Sequence, residues 1–372
     1  MNFRLCRNIT VSAGLAVLGI FAATLAAQNQ GGAAQNPGAA AQSSIDISHA
    51  AGAPQGLPFW AYPVNPPSGR GRGGAAGGAA AATTPPAAVA PAPEDTTLLH
   101  VPGSSLGFTK TYIANLFTVP DWFPDAHPPM PDVVAKGNKT DGVQACGYCH
   151  LPNGQGRPEN QSLTGLPAGY MLQQLSDFKN GLRKGSEPRM GSVSLMVRIG
   201  KALNDDDAKA AAAYFSSIKP KPWIRVVESD TVPSAHPAGG LMVRNDGGGT
   251  EPIGARIIEL AEDQERFELR DPNEGFVAYV PIGSIKKGET LVKTGGGGET
   301  MQCTLCHGPD LKGLGNIPSI AGRSPSQMVR QIIDMQTGAR NGPQSALMKP
   351  VVSKLTNDDI VAITAYLASL AP

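Results

Sequence analysis

Four of the five cysteines in this 372-residue chain fall in two pentapeptides, Cys146-Gly147-Tyr148-Cys149-His150 and Cys303-Thr304-Leu305-Cys306-His307. In each, two thiols three positions apart are followed at once by an imidazole. Such thiols can add across the vinyl groups of a haem, anchoring the porphyrin at two points on one turn of backbone. The histidine is then carried under the ring, where it can ligate iron. Zinc is the competing use of two C-x-x-C pairs. That use leaves both histidines idle and requires the pairs to meet across the 153 residues between Cys149 and Cys303. A thioredoxin-like dithiol would want a βαβ setting, which neither pair shows, and two disulfides would not explain the histidines. The pattern predicts two covalently attached haem c groups, one on Cys146, Cys149 and His150, the other on Cys303, Cys306 and His307.

Both motifs belong to a longer repeat. His307 lies 157 positions after His150, and at that offset Gly165, Met171, Gln174, Asp177, Gly181, Arg183 and Gly185 match Gly322, Met328, Gln331, Asp334, Gly338, Arg340 and Gly342. Downstream the offset falls to 152, where Met196, Leu203, Asp206, Asp207, Ala210, Ala213, Tyr214 and Ser217 match Met348, Leu355, Asp358, Asp359, Ala362, Ala365, Tyr366 and Ser369. Two copies at so long a period are two domains, not a solenoid.

Periodicity supplies the elements that must position the motifs. Met171, Leu175, Phe178 and Leu182 make one apolar helical stripe, repeated by Met328, Ile332 and Met335. The last helix of each copy opens on capping residues, Asn204 to Asp207 and Thr356 to Asp359. Strand patterns are scarce in both copies, so the fold class is mainly α. Between stripe and final helix, in a segment that reads as a loop, stand Met196 and Met348, each seven residues before the matched leucine. A thioether opposite histidine raises the reduction potential and fills the last coordination position. The four predicted iron ligands are therefore His150, Met196, His307 and Met348. Methionine is also a common core filler. Met171 and Met328 are assigned to packing on the stripe, and Met190 is the rival to Met196.

With these features the chain resembles the class I cytochromes c, and more closely the periplasmic di-haem cytochromes c built from two such domains. The resemblance covers residues 105–218 and 288–372. It implies that a proline carbonyl after the motif receives the histidine Nδ1–H. Pro318 fits that role, whereas Gln161 stands at the equivalent position of the first copy, with Pro158 three residues earlier. It also implies a crossing of first and last helices, which Gly288 to Leu291 and Tyr366 suit and residues 131–137 match poorly.

The remaining chain divides by composition. Residues 1–27 have Arg4 and Arg7, an apolar run and small residues at Ala26 and Ala27, the layout of a secretory signal peptide. The 19 residues 9–27 are also long enough for membrane anchoring, and Cys6 precedes the run. Residues 28–104 are rich in Ala, Gly and Pro and read as a disordered, flexible segment, holding one aromatic island, Pro58-Phe59-Trp60-Ala61-Tyr62-Pro63, suited to dock on a domain. Residues 219–287 carry β-type runs at Arg225 to Val227, Ile257 to Leu260, Phe267 to Arg270 and Phe276 to Val280. They read as a small β-containing insert setting the angle between cytochrome c domain 1 (105–218) and domain 2 (288–372). A net charge of +1, with no basic face, excludes a nucleic-acid partner. Arg183 and Arg340 read as solvated arginines at helix C-termini, or as partners of haem propionates.

The resemblance implies a periplasmic electron-transfer protein, not an enzyme. Its redox partners would be a periplasmic dehydrogenase as donor and an oxidase or other cytochrome as acceptor. Two alternatives stay open. One is an enzyme like the di-haem cytochrome c peroxidases, in which His100, His127 or His236 displaces a methionine. The other is a cytochrome subunit of a membrane-bound dehydrogenase.

Overall fold

The computed structural model describes residues 56–64 and 95–372. The signal or anchor segment 1–27, Cys6 and most of the Ala/Gly/Pro-rich segment lie outside the described residues.

The described chain begins its regular structure with a short hairpin, β1 (Leu98–Leu99) and β2 (Phe108–Thr109), then α1 (Lys110–Ala114) and α2 (Asp132–Ala135). The first copy continues with α3 (Cys146–His150), α4 (Ala168–Lys179), α5 (Gly191–Ala202) and α6 (Asp205–Ser217). In α4 the stripe buries Met171 and Phe178. Its fourth member, Leu182, falls beyond the helix and is exposed, because the chain turns at Gly181 with φ +69°. Helix α6 starts as its sequence requires: Asn204 Oδ1 accepts the Asp207 N–H at 2.8 Å, satisfying one of the free donors of the first turn. Leu166, Tyr170, Met171, Ile199 and Phe215 are the centre of this copy's core.

The segment after α6 is a mixed sheet with hairpins and one helix. Its strands are β3 (Ile224–Glu228), β4 (Thr231–Pro233), β5 (Ala235–Ala238), β6 (Leu241–Arg244), β7 (Thr250–Pro252) and β8 (Ile258–Ala261). Helix α7 (Gln264–Glu268) and β9 (Phe276–Val280) follow. β9 is central, parallel to β3 with Ile224 opposite Phe276 and antiparallel to β8 with Ile258 opposite Tyr279. The expected strand at Phe267 to Arg270 is a helix and the turn leaving it. Asp263 caps it, its Oδ1 accepting from Glu265 N and Arg266 N, and two N–H groups on one carboxylate outweigh the apolar alternation that suggested a strand.

The second copy comprises α8 (Ser284–Thr294), α9 (Thr304–His307), α10 (Pro325–Thr337), α11 (Pro343–Val352) and α12 (Asn357–Ser369). Ser324 caps α10, Pro325 occupies its first turn, and Gly338 at φ +79° ends it. Thr356 and Asp359 form a reciprocal capping box on α12. The crossing expected at Gly288 is present between α8 and α12: a Cβ at Gly288 would overlap the Ala362 carbonyl oxygen, so only glycine lets the helices approach. In the first copy the corresponding helix is the four-residue α2.

Where the repeat offset changes, the link between α4 and α5 is residues 180–190 and that between α10 and α11 only 338–342. The methionine segments on the far side of these links are the helices α5 and α11, not loops. In α11 Pro343 sits in the first turn, where its missing N–H costs nothing, and Pro350 lies near the end.

One core joins insert and second copy. Ile257, just before β8, and Ile258, Leu260 and Val280 of the sheet pack with Leu291, Val292, Ile360 and Ile363 of α8 and α12. Each such side chain, fully buried, contributes about 1.5–3 kcal/mol. The insert also holds the first copy, through Asn153 Nδ2 to Pro272 O (2.7 Å), Gln155 Nε2 to Glu274 O (2.9 Å) and Trp122 Nε1 to Leu269 O (2.9 Å). The aromatic island docks in the shared core: Trp60, Ala61, Tyr62 and Val64 are buried there with Met190 and Met242.

Candidate haem sites

In each motif a single helical turn, α3 or Cys303 followed by α9, brings both thiols near the histidine. None of the four motif cysteines is joined in a disulfide. Burial pushes the Cys146 thiol up to about 12 and the Cys303 thiol up to about 11, opposite to the lowered pKa of a redox-active dithiol. Among the described residues no three His, Cys, Asp or Glu side chains converge as a metal site, so the two pairs do not assemble a zinc centre.

Both histidines are buried, 8% and 7% exposed, and burial holds each below the ordinary histidine value. His150 Nδ1 lies 2.8 Å from Gln161 O and His307 Nδ1 lies 2.7 Å from Pro318 O. A carbonyl can only accept, so Nδ1 carries the proton and Nε2 keeps the lone pair a metal would take. The Pro318 expectation matches this geometry. For His150 the partner left unassigned by sequence is the backbone of Gln161, which serves whatever side chain it bears.

Around the first motif opens a cleft of about 1220 Å³, continuous with solvent. Cys146, Cys149 and His150 line one part of it; Met196 from α5 and Met171 from α4 line others, among apolar walls that include Leu166, Ile199 and Phe215. Two thiols, a neutral imidazole and a thioether around an apolar slot fit a covalently held haem. Met190 does not line this cleft; it is buried with Trp60 and Met242. In the second copy Met348 is partly buried against the core, and Met328 and Met335 lie within it. His100, His127 and His236 are engaged elsewhere, with Leu106 O, with Asp121 and Tyr214, and with Asn245.

The matched arginines are not solvated. Arg183 is 7% and Arg340 8% exposed, and the two copies exchange backbone bonds beside them, Lys184 N to Ala339 O at 2.8 Å and Asn341 N to Leu182 O at 2.7 Å. Arg183 donates to Gln174 Oε1 and across to Gln331 Oε1; Arg340 donates to Gln331 Oε1 and across to Gln174 Oε1. The repeat had matched these four residues, and the crossed bonding shows why: they form one near-symmetric junction between the copies. Gln327, Arg330 and Gln331 of α10 reach the wall of the first cleft.

The two attachment motifs differ in cover. Over the first, the Arg270 guanidinium stacks 3.6 Å from the Tyr148 ring and donates to Tyr148 O at 2.8 Å, leaving Tyr148 8% exposed. In the second, Leu305 is 63% exposed.

Comparison with known proteins agrees with the repeat. The family model for Cytochrome c matches residues 134–219 and again 285–371. Cytochrome c-554(548) of Halomonas halodenitrificans is 38% identical over 78 residues, 21% of this chain and 88% of that protein. The chain belongs to the cytochrome c family. Cytochrome c4 of Azotobacter vinelandii is 28% identical over 233 residues, 60% of this chain and 84% of that cytochrome. The thiosulfate dehydrogenase electron acceptor of Thiomonas intermedia (strain K12) is 27% identical, over 60% of this chain and 78% of its own length. The crystal structure of reduced recombinant cytochrome c4 from Pseudomonas stutzeri aligns at 25% identity and a TM-score of 0.40, covering 60% of this chain and 93% of that one. This cytochrome c is thus a cytochrome c4-like, di-haem electron-transfer protein with two covalently attached haem c groups.

Proposed function

We propose that this cytochrome carries single electrons in the periplasm from a dehydrogenase to an oxidase or another cytochrome. Cys146 and Cys149 hold one haem and Cys303 and Cys306 the other. His150 and Met196 ligate the first iron, His307 and Met348 the second. The observation that carries this reading is the repeated set: in each copy a pair of cysteines not tied up in a disulfide, a buried neutral imidazole with Nδ1 bound to a carbonyl, and a methionine on the next helix but one. A bound haem supplies an iron that changes by one charge with little rearrangement when both axial positions are filled.

The chain's residues then have defined tasks. The carbonyls of Gln161 and Pro318 orient the imidazoles, and apolar walls exclude water, which favours the less charged, reduced state. Cover over the first motif and exposure of Leu305 support exchange with partners through the second copy, the first filling by transfer within the molecule. The names of two relatives' class, thiosulfate dehydrogenase electron acceptors, support a dehydrogenase as donor. The peroxidase alternative needs an open iron position with acid–base groups beside it, and the three candidate histidines make other contacts. Membrane anchoring would rest on residues 9–27; among the described residues no helix is long and apolar enough to cross a bilayer. Stopped-flow mixing of the reduced protein with peroxide and, separately, with an oxidised c-type cytochrome tests the choice. Rapid reoxidation by the cytochrome and none by peroxide is expected; peroxide turnover would reverse the assignment.

A further inference from the structure

A second cleft, with a cavity volume of about 290 Å³ and open to solvent, lies where the two copies meet the insert, and it shares no lining residue with the first haem cleft. His127, Gln155, Trp223, Arg323 and the stretch 217–221 are among its walls. Lys219, Lys221 and Arg323 line it, and among the described residues no aspartate or glutamate side chain does. Pro372 also lines it, its carbonyl oxygen taken by Lys312 Nζ at 2.9 Å.

Arg323 is the unusual member. It is 7% exposed, and its partners are neutral: Nη1 donates to Ser162 O (3.1 Å) and Ser162 Oγ (3.0 Å), Nη2 to Thr164 O (3.0 Å). Nε is buried with no acceptor. Burial pulls the guanidinium down to about 10, which still leaves it charged at neutral pH. A buried charge without a counter-ion is costly, and a guanidinium with a spare N–H suits an anion's paired oxygens. Nothing in the electron-transfer reading uses this residue, and the repeat explains it no better, since Leu166 stands at the matching position of the first copy.

We propose that this cleft binds a small inorganic oxyanion, held by the buried Arg323 and by the exposed Lys219 and Lys221. Its cavity volume lies at the lower end of ordinary small-ligand sites, which suits a small anion held at the arginine end. Ser162 follows Gln161 directly, which places the site one residue from the carbonyl that holds His150.

Calorimetric titration of the di-haem protein with sodium sulfate, at low ionic strength and against sodium chloride as reference, tests this. One saturable sulfate site per chain is expected. Affinity should fall about tenfold in the double variant Lys219→Gln/Lys221→Gln, as expected for two screened surface contacts, and binding should vanish in Arg323→Gln. Absence of saturable binding in the native protein overturns the proposal. So does undiminished affinity in the double variant, whose exposed positions carry no folding risk, whether or not Arg323→Gln folds.

Discussion

At positions 161 and 318 a glutamine and a proline perform one task, because the group that holds each histidine is the backbone carbonyl. Residue type and spacing alone point to haem, since few chemistries use Cys-x-x-Cys-His. Arg183, Arg340 and Arg323 were not legible, because a sequence does not show which charged side chain will be buried against a neighbouring domain. The methionines carry the sharpest residue-scale prediction. Met196→Ala and Met348→Ala should each lower the potential of one haem only, by a sizeable part of the roughly 0.8 V that axial ligation spans. Potentiometry of each variant checks this, and an unchanged potential removes that methionine from the ligand set. Glu259 gives a pH prediction. It is buried, with Oε2 accepting from Ser324 and Ser326, and burial raises its pKa. A carboxyl whose folded pKa is raised stabilises the fold fully below its unfolded pKa, and that contribution is lost as pH rises through the folded value. Glu259→Gln should therefore be more stable than the native protein at neutral pH and lose that advantage in acid. Thermal melts across that range would show it.

At the scale of elements, periodicity and capping located α4, α6, α10 and α12, since stripe and cap are local properties. It failed where local signals conflicted. Val193 to Ile199 and Ala346 to Val352 are helical, yet the nearby glycines, serines and prolines read as loop. Phe267 has a strand's neighbours but an Asp263 cap, and the cap decides. Gly288 shows tertiary packing dictating a residue: the α8–α12 crossing leaves no room for a methyl group. Gly288→Ala should destabilise the protein by about 1–3 kcal/mol, the usual range for overpacking, measured as a lowered denaturation midpoint with haem bound. A neutral substitution would mean that the helices can separate.

The whole molecule is more than two domains and a linker. The island at residues 58–63 docks where α10, the insert and the link 180–190 meet: Tyr62 OH donates to Asp334 Oδ1 (3.0 Å), which also accepts Ser186 N (2.8 Å), and Arg330 Nη1 donates to Ala61 O (2.9 Å). Tyr62→Phe should cost about 1 kcal/mol, the worth of one buried hydrogen bond, read from denaturant unfolding. The sequence showed the island's aromatic character but not its seat, because its partners lie some 270 residues away, as Tyr62 and Asp334 do with a separation of 272. The uneven cover of the two motifs predicts a direction for exchange. Leu305→Asp should slow electron exchange with a partner cytochrome about tenfold, while Leu98→Asp, at another exposed leucine, should not. The ligand sets remain the point on which most of this depends. Spectropotentiometric titration of the di-haem protein, followed through the visible and near-infrared, reads them for both haems at once. Two low-spin haems, each with a methionine–iron charge-transfer band when oxidised, are expected; a haem that is high-spin, or lacks that band, contradicts the His/Met assignment.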